Sequence, residues 1–185
     1  LETSGNSFFR YRTVNHEITG HVDVNVGGKK WAWLQSYTVS KFDDLKMGGN
    51  YPAKYPNFGR RSQYIQTANG VDQIVTNSDD RIQKFSGYKQ WDLTQKILLK
   101  SSDKLTHSFN VQLSNSTDIP RYDRLQDKKN FGGSIGTTLR YAEWYYGPQL
   151  RLLSAYQAQW NPTANREVSL QVHYQHVLES RQTRE

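Results

Sequence analysis

Apolar and polar residues alternate with a period of two along much of this chain. Leu105, His107, Phe109, Val111 and Leu113 would share one side of an extended strand, with Thr106, Ser108, Asn110, Gln112 and Ser114 on the other. The pattern recurs in Val22, Val24 and Val26 against His21, Asp23 and Asn25. It recurs again in Val168, Leu170, Val172 and Tyr174 against Ser169, Gln171, His173 and Gln175. Helical periodicity is nearly absent: the segment 79–85, the best candidate for a helix, carries no sustained apolar stripe. The pattern predicts an all-β, antiparallel protein.

Turn residues divide the chain into seven expected strands: residues 7–14, 20–27, 30–43, 87–100, 104–122, 138–160 and 166–182. Three connections are tight, at Gly27-Gly28-Lys29, Ser101-Ser102-Asp103 and the segment from Asn161 to Asn165. Between them lie a long excursion over residues 44–86 and a shorter one over residues 125–137. Short turns at one end and long loops at the other are the asymmetry of bacterial outer-membrane barrels. The run 138–160 would extend roughly 70 Å at ~3.3 Å per residue, far beyond an ordinary globular strand. Gly147-Pro148 lies inside it. A bulge there keeps the two ends consistent; a hairpin turn over Tyr146-Gly147-Pro148-Gln149 is the alternative.

Composition points the same way. Hydrophobic residues are only 35 % of the chain, while aromatics reach 13 %, with 12 Tyr and 5 Trp against one Met. Amphipathic rings suit membrane interfaces and also sugar-binding surfaces. Mean hydropathy is −0.85, and no stretch approaches the ~20 apolar residues of a membrane-spanning helix. Strands that alternate lipid-facing and lumen-facing residues need no such stretch. The absence of cysteine excludes disulfides, thiolate metal sites and a cysteine nucleophile. A net charge of +7 suits an anionic ligand or lipopolysaccharide phosphates better than nucleic acid, because the basic residues are scattered. The start at Leu1, without Met or an export signal, reads as a mature or excised piece.

Five segments in order resemble the barrel of TonB-dependent outer-membrane receptors, in the branch for haem, haemoprotein or siderophore uptake. They begin with Phe9-Arg10-Tyr11-Arg12-Thr13-Val14-Asn15-His16-Glu17 and the strand through Val26, then Lys29-Lys30-Trp31-Ala32-Trp33-Leu34-Gln35-Ser36-Tyr37 running on to Phe42-Asp43-Asp44-Leu45-Lys46-Met47-Gly48. Next are Ile119-Pro120-Arg121-Tyr122-Asp123-Arg124-Leu125 and Tyr141-Ala142-Glu143-Trp144-Tyr145-Tyr146-Gly147-Pro148-Gln149 with Arg151-Leu152-Leu153. The last is Tyr174-Gln175-His176-Val177-Leu178-Glu179-Ser180-Arg181. The resemblance spans nearly the whole chain outside the long loop. It implies that residues 1–185 are part of a 22-stranded transmembrane β-barrel, with residues 44–86 an extracellular loop. A plug domain and the remaining strands would lie elsewhere. Implied partners are outer-membrane lipid, the TonB complex through an N-terminal region, a small-molecule or haemoprotein ligand, and a surface lipoprotein. No intrinsic cofactor is implied; haem or a ferric chelate would be the transported ligand, in the bacterial outer membrane.

The candidate ligand-binding residues are Tyr51, Tyr55, Arg60, Arg61 and Tyr64, close together in the long loop with Phe58. Aromatics interleaved with arginines can stack on a planar ligand and pair with its acidic groups. Lys128, Lys129 and Phe131 repeat the idea in the later loop. Among five histidines His16 is the metal candidate, convergent with His21 if the first hairpin is tight; His173 and His176 point to opposite faces. The glycine run 132–136 lacks the lysine and helix of a phosphate loop. Asp43, Asp44, Glu143 and Glu179 find no matched base, so no acid–base or nucleophilic constellation forms and an enzyme is not expected. Arg140, Glu143, Arg151 and Glu179 are expected to line a lumen, and Trp31 and Trp160 to form an aromatic girdle. Two functions remain: a receptor segment for TonB-energised uptake of haem or a ferric siderophore, and a soluble β-sandwich that binds glycans through surface aromatics.

Overall fold

The computed structural model of the chain describes residues 1–132 and 134–185, with the side chains of Phe131, Ser134, Ile135 and Thr137 outside that description. In chain order the strands are β1 (Glu2–Arg12), β2 (Glu17–Gly27), β3 (Trp31–Phe42), β4 (Leu45–Lys46), β5 (Gln63–Ala68) and β6 (Val71–Thr76). Next come β7 (Ile82–Gln83), β8 (Tyr88–Ser102), β9 (Leu105–Ser116), β10 (Ile119–Pro120) and β11 (Lys128–Phe131). The last are β12 (Ser134–Leu139), β13 (Glu143–Tyr146), β14 (Leu150–Thr163), β15 (Arg166–Leu178) and β16 (Arg181–Arg184). Among the described residues the one helical element is a single 3₁₀ turn, Arg124–Gln126.

Seven long strands pair antiparallel in the order β1-β2-β3-β8-β9-β14-β15. They correspond to the seven strands expected from alternation, so the protein is all-β and antiparallel. The sheet is open, with β1 and β15 as its edges, and no closed barrel forms among the described residues. Its three tight turns, after β2, β8 and β14, lie at one end; the long loops and the β1–β2 turn lie at the other.

The expected strand 138–160 is corrected. It is neither one strand with a bulge nor a hairpin, because β13 and β14 are separated by Gly147-Pro148-Gln149. Gly147 there has φ +121°, a conformation that a side chain would oppose. The expected strands 104–122 and 166–182 break at the same level, between β9 and β10 and between β15 and β16. The three short outer pieces form their own sheet, β10-β13-β16, in the order of the strands they extend. Hydrogen bonds bridge the break, from Ser116 N to Gln149 O (3.0 Å) and from Gly147 N to Ser180 O (2.9 Å).

Both loops contain more structure than the sequence reading assigned. The first holds a hairpin, β5–β6, turned by Asn69-Gly70 at positive φ (52° and 77°), and the short pair β4–β7, which replaces any helix over 79–85. Alternating residues around an Asn-Gly pair are the signal that could have found the hairpin. The second loop holds the β11–β12 hairpin. The glycine run 132–136 lies partly outside the described residues, as does the Phe131 side chain.

Partners directly opposite in an antiparallel ladder share a face. One face therefore carries rows such as Val26–Trp33–Ile97–Phe109–Tyr156–Val172 and Val22–Tyr37–Leu93–Leu113–Leu152–His176. The other carries Asn25–Leu34–Lys96–Asn110–Ala155–His173, and Thr19–Ser40–Gln90–Ser116 beyond it. Burial is inverted relative to a globular protein. On the apolar face Val22, Phe109, Val172 and Tyr174 are 46–58 % exposed, while the sheet's buried side chains are Glu17, Thr19, Ser40 and Ser116. The buried apolar residues, Leu125, Leu139 and Tyr141, all belong to the loop cap. Residues of six successive strands, Asn25, Leu34, Lys96, Asn110, Gln157 and His173, line one cavity of about 380 Å³.

Candidate functional site

The loops at the long-loop end form a cap whose parts are tied across long sequence distances. Arg184 on β16 pairs with Asp72 on β6, donates to Thr67 Oγ1 on β5 (3.0 Å), and pairs with Glu143 on β13 (2.7 Å). Gln126 Nε2 donates to Gln83 Oε1 (3.1 Å), which joins the two long loops again. A hydrogen bond from the Thr67 hydroxyl, and after it Arg184, holds the Asp72 carboxyl below its ordinary range, while Glu143, and after it Asp72, holds the Arg184 guanidinium above its own.

The five loop residues singled out by sequence do not form one cluster. Arg60 and Tyr51 do meet. The guanidinium lies 5.9 Å from the Tyr51 ring centroid, donates to Tyr51 Oη (2.7 Å) and pairs with Asp80 (2.7 Å), which raises its pKa. Arg61 turns the other way. It is 2 % exposed, donates from Nη1 to the Lys84 carbonyl and leaves Nε without a partner. Burial pulls its pKa down to about 10, which fits a guanidinium that braces the loop interior. Tyr64 packs edge-on against Phe85 with centroids 5.6 Å apart, and Tyr55 is exposed beneath Lys54.

A stronger aromatic–arginine cluster surrounds Trp144, and the sequence reading missed it. Arg121, Arg124 and Arg181 lie 5.5–5.9 Å from the Trp144 ring, which also packs against Tyr141 (4.5 Å). These residues are far apart in sequence, and only the pairing of β10, β13 and β16 brings them together. Beside them a cavity of about 520 Å³ is walled by Ile65, Phe85, Pro120, Leu125, Trp144 and Tyr145, with Asp118 and Glu143 at its edge. Its chemistry suits a flat apolar group held between two loops.

His16 has φ +46° and shares a 2.7 Å hydrogen bond between its Nδ1 and Tyr11 Oη. His21 does not converge on it, being stacked on Phe8 and bonded to Thr38 and Asp23. Among the described residues no group of three or more His, Asp or Glu could hold a metal ion. His173 and His176 fall on opposite faces, opposite Ala155 and Leu152. Arg151 lies on the polar face 3.8 Å from Glu179, while Arg140 pairs with Glu185 in the cap.

His16 also lines the cavity of about 600 Å³ at the rim of β3 and β8, along with Lys41, Phe42, Asp43, Asp44, Lys46, Lys84 and Lys89. Lys41 pairs with Asp43 (3.1 Å), and Lys46 with Asp79 (2.8 Å). Asp44 Oδ1 accepts from the backbone amides of Ser86 and Gly87. Compared with family models, curated proteins and solved structures, the chain matches none.

Proposed function

We propose that the chain is part of a TonB-dependent outer-membrane receptor barrel for energised uptake of haem or a ferric siderophore, with the lumen on its polar side. One observation carries the reading: the seven-stranded sheet exposes its apolar face and buries polar side chains. Each Val, Leu or Phe left in water forgoes about 1.5–3 kcal/mol that burial would return, so this face needs an apolar surround. Lipid supplies one without a second protein layer. A β-sandwich would need a covering sheet, and none lies on this face among the described residues.

The slope of the apolar band from β2 to β9 supports the same reading, and it stops there: on β14 and β15 Leu150 and Leu178 return to the row of Asn115. On β2 it runs from Ile18 to Val26, but the row of Ile18 continues into Lys41 and Lys89, and the row of Gly20 into Val39, Trp91 and Asn115. On β9 the band runs from Leu105 to Leu113, displaced by two rows. Two rows are ~13 Å along the strands and three strand spacings ~14 Å across them, a slant of roughly 40°. Strands in membrane barrels tilt by about 35–45°, so a band level with the membrane would slope in this way. Trp31 and Trp160, on the apolar face beside the tight turns, fit the periplasmic aromatic girdle.

In this reading the cap faces outward and captures ligand. Tyr51, Tyr55 and Arg60 offer stacking and charge at the surface, and the Phe85–Trp144–Tyr145 cavity receives a planar group; Arg61 and Tyr64 brace the loop. Substituted-cysteine labelling in cells tests the orientation, since the chain has no cysteine of its own. A membrane-impermeant maleimide should label Phe58→Cys from outside and leave Asp103→Cys unlabelled. Equal labelling of both would remove the reading.

A further inference from the structure

Gln35 on β3 and Gln95 on β8 stand directly opposite each other on the apolar face, in the row Val24–Gln35–Gln95–Val111. Each lies at the centre of its own strand's share of the apolar band. Gln35 has Trp31 and Trp33 on one side and Tyr37 and Val39 on the other; Gln95 has Leu99 and Ile97, then Leu93 and Trp91. The surrounding face is open, with Trp31, Tyr37, Val39, Ile97 and Leu99 all 41–45 % exposed. Among the described residues neither side-chain amide has a hydrogen-bond partner. A primary amide carries two N–H donors and a carbonyl with two lone pairs. Turned toward each other, the two amides would use only part of that capacity and leave donors and acceptors pointing outward. In hydrocarbon those groups find no partner, and an unpaired amide in an apolar surround is strongly disfavoured.

We propose that this patch is a contact between two copies of the chain within the membrane, in which Gln35 and Gln95 of one copy hydrogen-bond to the same pair of the other, inside a rim of Trp33, Tyr37, Leu93 and Ile97. The inference rests on the membrane reading, since water would satisfy the amides of a soluble protein. The chemistry of the patch selects its occupant. An amide both donates and accepts, so the pair is complementary to itself, as a two-fold interface requires. A charged partner has nothing to meet: on this face no Lys, Arg, Asp or Glu stands between the row of Trp31 and the row of Val39. Lipid tails offer neither donor nor acceptor.

Energy transfer between donor- and acceptor-labelled copies of the intact protein, reconstituted in liposomes and diluted with lipid, tests the contact. D103C in a tight turn carries the label, the chain having no cysteine of its own. Flotation of the same liposomes reads insertion separately. The native protein should associate, and Q35L/Q95L should weaken that association about tenfold or more. This variant removes the amides but suits lipid, so it should insert at least as well as the native protein. Q112L, on the polar face, should associate as native. Association that Q35L/Q95L weakens and Q112L spares supports the contact. Inserted native protein that stays monomeric overturns it, in favour of a different membrane-embedded chain as the occupant. Association indifferent to Q35L/Q95L overturns it as well. Native protein that does not float with the liposomes removes the membrane reading itself, and the contact with it.

Discussion

Arg184 and Asp72 form an ion pair although 112 residues separate them, and this contact fastens the hairpin of the first long loop to the last strand of the cap. All its members are partly exposed, so each pair contributes little alone, but the guanidinium serves Asp72, Thr67 and Glu143 together. Arg184→Ala should therefore free the hairpin without unfolding the seven-stranded sheet. The expected result is roughly two- to tenfold faster amide exchange over β5–β6, with exchange in β8 and β9 unchanged.

The same loop should loosen in acid at a second point. Lys46 foremost, and then the backbone amide of Arg81, pull the Asp79 carboxyl down to about 2. A carboxyl whose folded pKa is depressed contributes stability that is fully present above its unfolded value, ~3.9, and is lost as pH falls toward the folded one. Protection of the Arg81 and Ile82 amides should accordingly hold at neutral pH and decline between about pH 4 and pH 2. Lys46→Gln should shift that decline upward, measured by hydrogen exchange across the pH series.

The two faces of β9 should respond oppositely to charge. Val111 lies in the apolar band and Gln112 on the polar face. If lipid covers the band, Val111→Lys costs about 2–4 kcal/mol of folding free energy in bilayers and lowers the level of the assembled protein in the membrane. Gln112→Lys should change either quantity little. Equal sensitivity of the two positions in a refolding assay with lipid would count against the membrane reading.

Gly70 follows Asn69 in a turn where both residues have positive φ. A β-branched side chain is opposed there by about 1–2 kcal/mol. Gly70→Val should destabilise β5–β6 by that amount, read as faster exchange of the Tyr64 and Val75 amides. Because β5 supplies Ile65 to the cavity beside Trp144, the variant should also weaken any ligand seated there.

Much of the fold was legible in the sequence. Alternation located the seven strands because a strand's side chains point to opposite faces at every step, and the register later placed Leu105, Phe109, Val111 and Leu113 together as that rule requires. The loop asymmetry was legible too, since turn residues announce tight connections. The Asn69-Gly70 hairpin was legible in principle, though its flanking residues read as loop. The candidate site was far less so: proximity in sequence grouped Arg60 with Arg61, whereas the backbone sends one outward to Tyr51 and Asp80 and the other inward to the Lys84 carbonyl.

The sequence by itself determined the period, and with it the strands and their two faces, because those depend on neighbours along the chain. Tertiary structure alone decided which rows align across the sheet, and so the slope of the apolar band and the opposition of Lys41 and Lys89. It alone broke three adjacent strands at one level and gathered Arg121, Arg124, Arg181 and Trp144. These are contacts between residues distant in sequence, fixed by cross-strand hydrogen bonding and loop packing, which no local pattern encodes.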